Sequence, residues 1–122
     1  LQVILVGQPQ LRDLLKRPEL AQFSQRVGVD FFIPPLGEEE VVRYVRHRLH
    51  VAGRDAPLFT GEALARIAQA TRGIPRSINI LCDMALVYGF GGDVQTIDAA
   101  LIDEVLADRR DFGVLGADAP AV

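Results

Sequence analysis

The sequence predicts a mixed fold, an α/β fragment followed by an all-α bundle, and three observations predict it. Residues 2–6 (Gln2, Val3, Ile4, Leu5, Val6) form an apolar run rich in β-branched side chains and stopped by Gly7. That reads as a strand buried on both faces, as in a parallel sheet. Residues 29–33 (Val-Asp-Phe-Phe-Ile) read as a second strand, ended by Pro34 and Pro35, neither of which can donate to a ladder. From Leu36 onward the apolar residues recur at helical spacing instead. The change falls near Pro34–Leu36, so residues 1–35 are expected to form one part, 36–110 a four-helix part, and 111–122 a linker or frayed tail.

Between the two strands, Pro9 to Arg17 reads as a helix with Leu11, Leu14 and Leu15 on one side. Pro18 restarts it, since proline suits a first helical turn, and residues 19–27 continue it through Leu20 and Phe23. In the second part, Glu38, Glu39 and Glu40 occupy a first turn, where negative charge suits the helix dipole. Val41, Val45, Leu49 and Ala52 follow as one stripe, and Gly53 with Pro57 stops it. Thr60 is a good N-cap for the next helix, which buries Leu64, Ile67, Ala68 and Thr71 and ends at Gly73. A third helix follows Pro75, with Ile78, Leu81, Cys82, Ala85, Leu86 and Gly89 inward and a loop over residues 89–93. Asp98 caps the last helix, and Ile97 packs on Ile102 as a hydrophobic staple.

Composition bounds the class. In 122 residues, 49% are hydrophobic and 24% charged, the mix of a soluble globular chain with room for a core. No apolar stretch reaches the roughly 20 residues of a membrane span. Cys82 is the sole cysteine, so no internal disulfide forms, and a free thiol suits a reducing cytoplasm. A net charge of −3 leans away from a general nucleic-acid binder. The chain opens at full apolar strength, without the polar slack usual at a terminus, which predicts that it continues something longer.

Three local features carry chemistry. Gln8 follows the carboxyl end of the first expected strand, where ligands of parallel sheets sit; it either holds a water or phosphate oxygen or merely starts a turn before Pro9. Arg26, in Ser24-Gln25-Arg26-Val27, either points across a subunit boundary toward a neighbour's phosphates or satisfies a helix end. Arg76 follows Gly73-Ile74-Pro75 in the first turn of a helix. A cation there opposes the helix dipole, so an anionic partner is expected, either a nucleotide phosphate or a nearby carboxylate.

Taken in order, strand–Gly-Gln-Pro, Gln-Arg-Val, Pro-Leu-Gly-Glu-Glu-Glu and Gly-Ile-Pro-Arg-Ser-Ile-Asn-Ile-Leu-Cys-Asp closely resemble the AAA+ ATPases of the general secretion pathway protein A family, over residues 1 to 110. The resemblance implies the last two strands of a parallel AAA+ core sheet followed by a four-helix AAA+ lid. It implies that Gln8 falls at sensor 1, that Arg26 is the arginine finger, and that Arg76 is the sensor 2 arginine, presented by Ile74 and Pro75. It implies ATP and Mg2+ as cofactors of the parent, neighbouring ATPase subunits and export-apparatus proteins as partners, and a cytoplasmic location. No Gly-x-x-x-x-Gly-Lys-Ser/Thr loop and no apolar strand ending in Asp-Glu occurs in the chain. Hydrolysis by this chain alone is therefore not expected. A DNA-handling AAA+ ATPase of similar build and a plain helical interaction module are the alternatives.

Arg43, Arg46, His47, His50 and Arg54 line the side of the first bundle helix opposite Val41 and Val45. They form either a solvated face or a docking strip for an anionic partner. Neither histidine has the companions to make a metal site.

Overall fold

The computed structural model describes residues 1–111, the side chains of residues 110 and 111 excepted. The linker expected over 111–122 thus lies, from Phe112 onward, outside the described residues. The chain divides into two compact units, Leu1–Ile33 and Pro34–Val122.

The first unit corrects the expected α/β fragment. Among the described residues there is no sheet: residues 2–6 and 29–33 are irregular, make no backbone–backbone hydrogen bonds, and leave their apolar side chains in water. Ile4 is 86% exposed and Ile33 87%. The physical reason is that a strand is completed by another strand's N–H and C=O groups, and no described segment supplies them. An apolar run marks residues that favour burial; it does not provide the partner. The helical stretch is also more broken than the spacing suggests. It comprises α1 (Gln10–Leu15), a 3-10 turn (Pro18–Leu20) and α2 (Ala21–Ser24). Arg17, just before Pro18, is pushed to extended backbone (ψ 140°), which ends α1 short of it. Ser24 Oγ donates to the Leu15 carbonyl, and Arg12 pairs with Asp30 at 3.0 Å while lying 5.3 Å from the Phe32 ring centroid. No residue of this unit is buried.

Among its described residues the second unit has four helices: α3 (Glu38–Val51), α4 (Gly61–Thr71), α5 (Pro75–Gly91) and α6 (Ala99–Asp111). α4 is central, packing on α3, α5 and α6, and α5 packs on α6. Val41, Ile67, Ile78, Leu81, Ile102 and Val105 are at most 1% exposed and lie in one cluster. Each such side chain stabilises the fold by about 1.5–3 kcal/mol relative to exposure.

The helix starts follow the sequence. Glu40 turns back so that the Gly37 N–H donates to its Oε2 at 2.8 Å. Thr60 Oγ1 accepts from the Ala63 N–H at 3.1 Å, and Asp98 Oδ1 accepts from Leu101 N–H at 2.9 Å. Ile97 and Ile102 share the core as the staple requires. A parallel bridge, Phe59 with Ile97, ties the approaches to α4 and α6 through Ile97 N–H to Leu58 O (2.7 Å) and Thr60 N–H to Ile97 O (2.9 Å). α5 runs on through Gly91, consuming much of the expected loop, because Gly92 and Val94 N–H groups fold back onto Tyr88 and Gly89 carbonyls. No helix of the described residues is long and apolar enough to cross a membrane.

Candidate functional site

The chemistry-bearing part of the second unit is the turn from α4 into α5. α4 ends with its buried Thr71 hydroxyl donating to the Ile67 carbonyl at 2.7 Å. Arg72 and Gly73 then take left-handed backbone, with φ of 54° and 75°. At Gly73 the reason is also steric: a Cβ there would sit 1.9 Å from the Leu36 carbonyl oxygen. The Leu36 N–H donates to the Gly73 carbonyl at 2.9 Å, so the start of the unit is clamped against this turn.

From that clamp the chain enters α5. Ile74 is extended (φ −85°, ψ 114°), and its carbonyl accepts from Ile78 N–H at 3.0 Å, which makes it the N-cap. Pro75 takes the first helical position, where its missing N–H costs nothing. One residue on, Arg76 is exposed. Among the described residues it forms no ion pair or hydrogen bond, so none of them is the carboxylate partner that sequence reasoning left open. The turn beneath it is held firmly. Ile78 is buried, and the Tyr44 hydroxyl of α3 donates to Asn79 Oδ1 at 2.8 Å. Free N–H groups, the positive end of the dipole and a guanidinium thus converge at one helix start, an arrangement suited to an anion.

Ile74, Pro75 and Arg76 therefore share one turn. Gln8 and Arg26 lie in the first unit, both exposed. The Gln8 carbonyl accepts from Leu11 N–H at 2.9 Å, opening α1, and Arg26 occupies the turn after α2 with its N–H on the Phe23 carbonyl at 3.0 Å. Sequence reasoning missed two supports of the Arg76 turn, the Leu36–Gly73 clamp and the Tyr44–Asn79 bond. Gly73 before Ile-Pro was a signal for the first; nothing local signals a bond between residues 35 positions apart.

The expected nucleotide can be tested against these residues. They fit one contact to a phosphate, made by Arg76, and not a whole nucleotide site. Among the described residues no group of three His, Cys, Asp or Glu side chains could hold a metal ion. Cys82, inside α5, is not a nucleophile at neutral pH: burial, aided by the charge of Asp83, pushes its thiol up to about 12.

Among the described residues, the class this defines is a four-helix unit whose third helix opens on a clamped Gly-Ile-Pro-Arg turn that presents a cation with no ion-pair partner among them. The chain is 46% identical over 116 residues to general secretion pathway protein A of Aeromonas hydrophila, a match covering 93% of this chain and 21% of that protein. Over that segment it is a relative of general secretion pathway protein A. It is also 27% identical over 106 residues to an uncharacterized HTH-type transcriptional regulator of Methanocaldococcus jannaschii, covering 84% of this chain and 26% of that protein. The chain thus spans about a fifth to a quarter of the curated relatives it matches. No family model and no solved structure matches it.

Proposed function

We propose that this chain is the C-terminal, lid-bearing part of a secretion-associated AAA+ ATPase, and that Arg76 is its contact to the nucleotide phosphates. The observation that carries this is Arg76 itself: a cation at a helix start, on a clamped turn, with no carboxylate partner among the described residues. The similarity to general secretion pathway protein A supports the setting. In this reading ATP, with Mg2+, is the cofactor of the parent and supplies the phosphate charge that Arg76 meets. Ile74 and Pro75 fix where the guanidinium emerges. The four helices move as the lid, and neighbouring subunits and an export apparatus are the partners, on the cytoplasmic side. Arg26 serves as the arginine finger and Gln8 as the polar residue of sensor 1.

The test is Arg76→Ala in the intact parent. One charge-assisted contact is worth about 1.5–3 kcal/mol, so ATP affinity or turnover falls roughly 10- to 100-fold. Unchanged affinity and turnover would overturn the reading. The chain alone, lacking a phosphate loop, shows no hydrolysis above background; robust turnover by it would refute the lid assignment. The similarity to the HTH-type regulator favours a second reading, a DNA-handling ATPase. A titration with duplex DNA separates the two, since a DNA-handling chain binds with an affinity that falls steeply as salt rises.

A further inference from the structure

Arg76 leaves α5 on the side away from the core. At about 100° per residue, the buried Ile78 lies nearly opposite Arg76, whereas Asn79 lies about 60° from it, one turn on. Apolar burial at Ile78 is non-directional: it keeps the turn against the core but scarcely fixes its roll about the helix axis. The first-turn N–H groups also lack carbonyl partners four residues back, and helix ends fray for that reason. The direction in which the guanidinium leaves the helix therefore needs a second, directional constraint on its own side.

Tyr44 supplies one. α3 packs on α4, and α5 packs on α4 and α6, so a side chain must bridge from α3 to the start of α5. The Tyr44 ring packs against the core cluster, which sets the place of its hydroxyl. That hydroxyl donates to Asn79 Oδ1 at 2.8 Å in a partly buried bond. Water competes less there, so the bond keeps more of its strength than an exposed one. On the other side of Arg76, the N–H of Leu36, two residues before α3, bonds to the Gly73 carbonyl at 2.9 Å. α3 and its lead-in thus hold the Arg76 turn on both sides, at residues 73 and 79.

We propose that Tyr44 is a positioning residue for Arg76: acting through Asn79, it fixes the roll of the first turn of α5 and with it the line along which the guanidinium meets phosphate. This rests on the nucleotide reading above and adds to it a residue that touches no ligand. The geometry of a charge-assisted contact is strict, and a turn free to roll would spend part of its time with the guanidinium misdirected. The bond removes that freedom before the phosphate arrives. It also makes α3 and the Arg76 turn move as one piece, so a shift of α3 is carried to the guanidinium.

A double-mutant cycle in the intact parent tests it. Tyr44→Phe deletes the donor and keeps the ring, and Asn79→Ala deletes the acceptor while favouring the helix. Each lowers, roughly 3- to 10-fold, the quantity that Arg76→Ala lowers, ATP affinity or turnover, as the loss of one net hydrogen bond predicts. The two together lower it no further. In an Arg76→Ala background Tyr44→Phe has no additional effect on that quantity, while its small loss of stability to urea persists in both backgrounds. Where Arg76→Ala lowers affinity or turnover and Tyr44→Phe does not, the positioning role is overturned and the nucleotide reading stands. A Tyr44→Phe loss that persists in full without Arg76 also overturns it, because the bond then acts elsewhere. Affinity and turnover that are both unchanged by Arg76→Ala overturn the nucleotide reading, and this role with it.

Discussion

The two units are similarly rich in apolar side chains and differ in what those side chains do. In Leu1–Ile33, Val3, Ile4, Val6, Phe31 and Ile33 all stay more than 60% exposed and nothing is buried. From Pro34 on, Val41, Ala63, Ile67, Leu81, Ala85 and Val105 are fully buried. The difference is the range over which the backbone must find its partners. A helix satisfies its N–H and C=O groups within four residues, so an amphipathic stripe needs only another stripe to pack on. An apolar run of strand type has no such local solution, and its side chains gain nothing until a neighbour arrives. Hydrophobicity alone is therefore a poor guide to which of the two units is stable.

The largest effect that would sharpen this contrast is at Leu81, fully buried in α5. Leu81→Ala removes its contacts and leaves a cavity, with an expected loss of about 2–5 kcal/mol. Urea unfolding followed by helical circular dichroism measures it, and a loss below about 1 kcal/mol would show that the core is less consolidated than its burial implies. Next comes Gly73→Ala. The left-handed backbone alone costs a Cβ-bearing residue about 1–2 kcal/mol, and the 1.9 Å approach to Leu36 O adds to it. Because that turn also sets Arg76, the same substitution in the parent lowers nucleotide affinity along with stability, whereas Leu81→Ala lowers stability more than affinity. Thr60→Ala loses the cap bond to Ala63 and about 1 kcal/mol.

These positions also show what was legible in advance. The helices of the second unit could be read because each carries its own punctuation: glutamates at the start of α3, Thr60 and Asp98 as caps, Gly73 and Pro75 at a stop and a start. The Arg76 turn was visible for the same reason. Its supports were not, since Leu36–Gly73 and Tyr44–Asn79 join residues more than 30 positions apart. The strands were misread because residues 2–6 and 29–33 have strand composition, while pairing is a property of two segments and cannot be inferred from either.

A further effect lies at high pH. Burial lifts the half-buried Cys82 thiol from 9.0 to about 12 in the fold. The folded state therefore holds its proton more tightly than the unfolded chain. That contribution to stability is complete below pH 9 and is lost as pH rises from 9 toward 12. Cys82→Ala removes this dependence, so the two unfolding free energies, followed from pH 8 to 10.5, converge as pH rises. Parallel curves would mean that the thiol is far more solvated than its position indicates.

The smallest expected effect is the one that most directly challenges the contrast. Ile4 is apolar, β-branched and central to the run that reads most strongly as a strand, yet it is 86% exposed. Ile4→Ser removes as much hydrophobic side chain as many core substitutions, and in this chain it shifts unfolding by less than about 0.5 kcal/mol, as surface changes do. Its buried counterpart Ile67, 0% exposed, loses several times more on the same change, because a hydroxyl without a partner is then enclosed as well. Equal losses at the two positions would mean that residues 2–6 are buried in solution, and the division between a self-sufficient helical unit and an unpartnered apolar one would fail at its first residue.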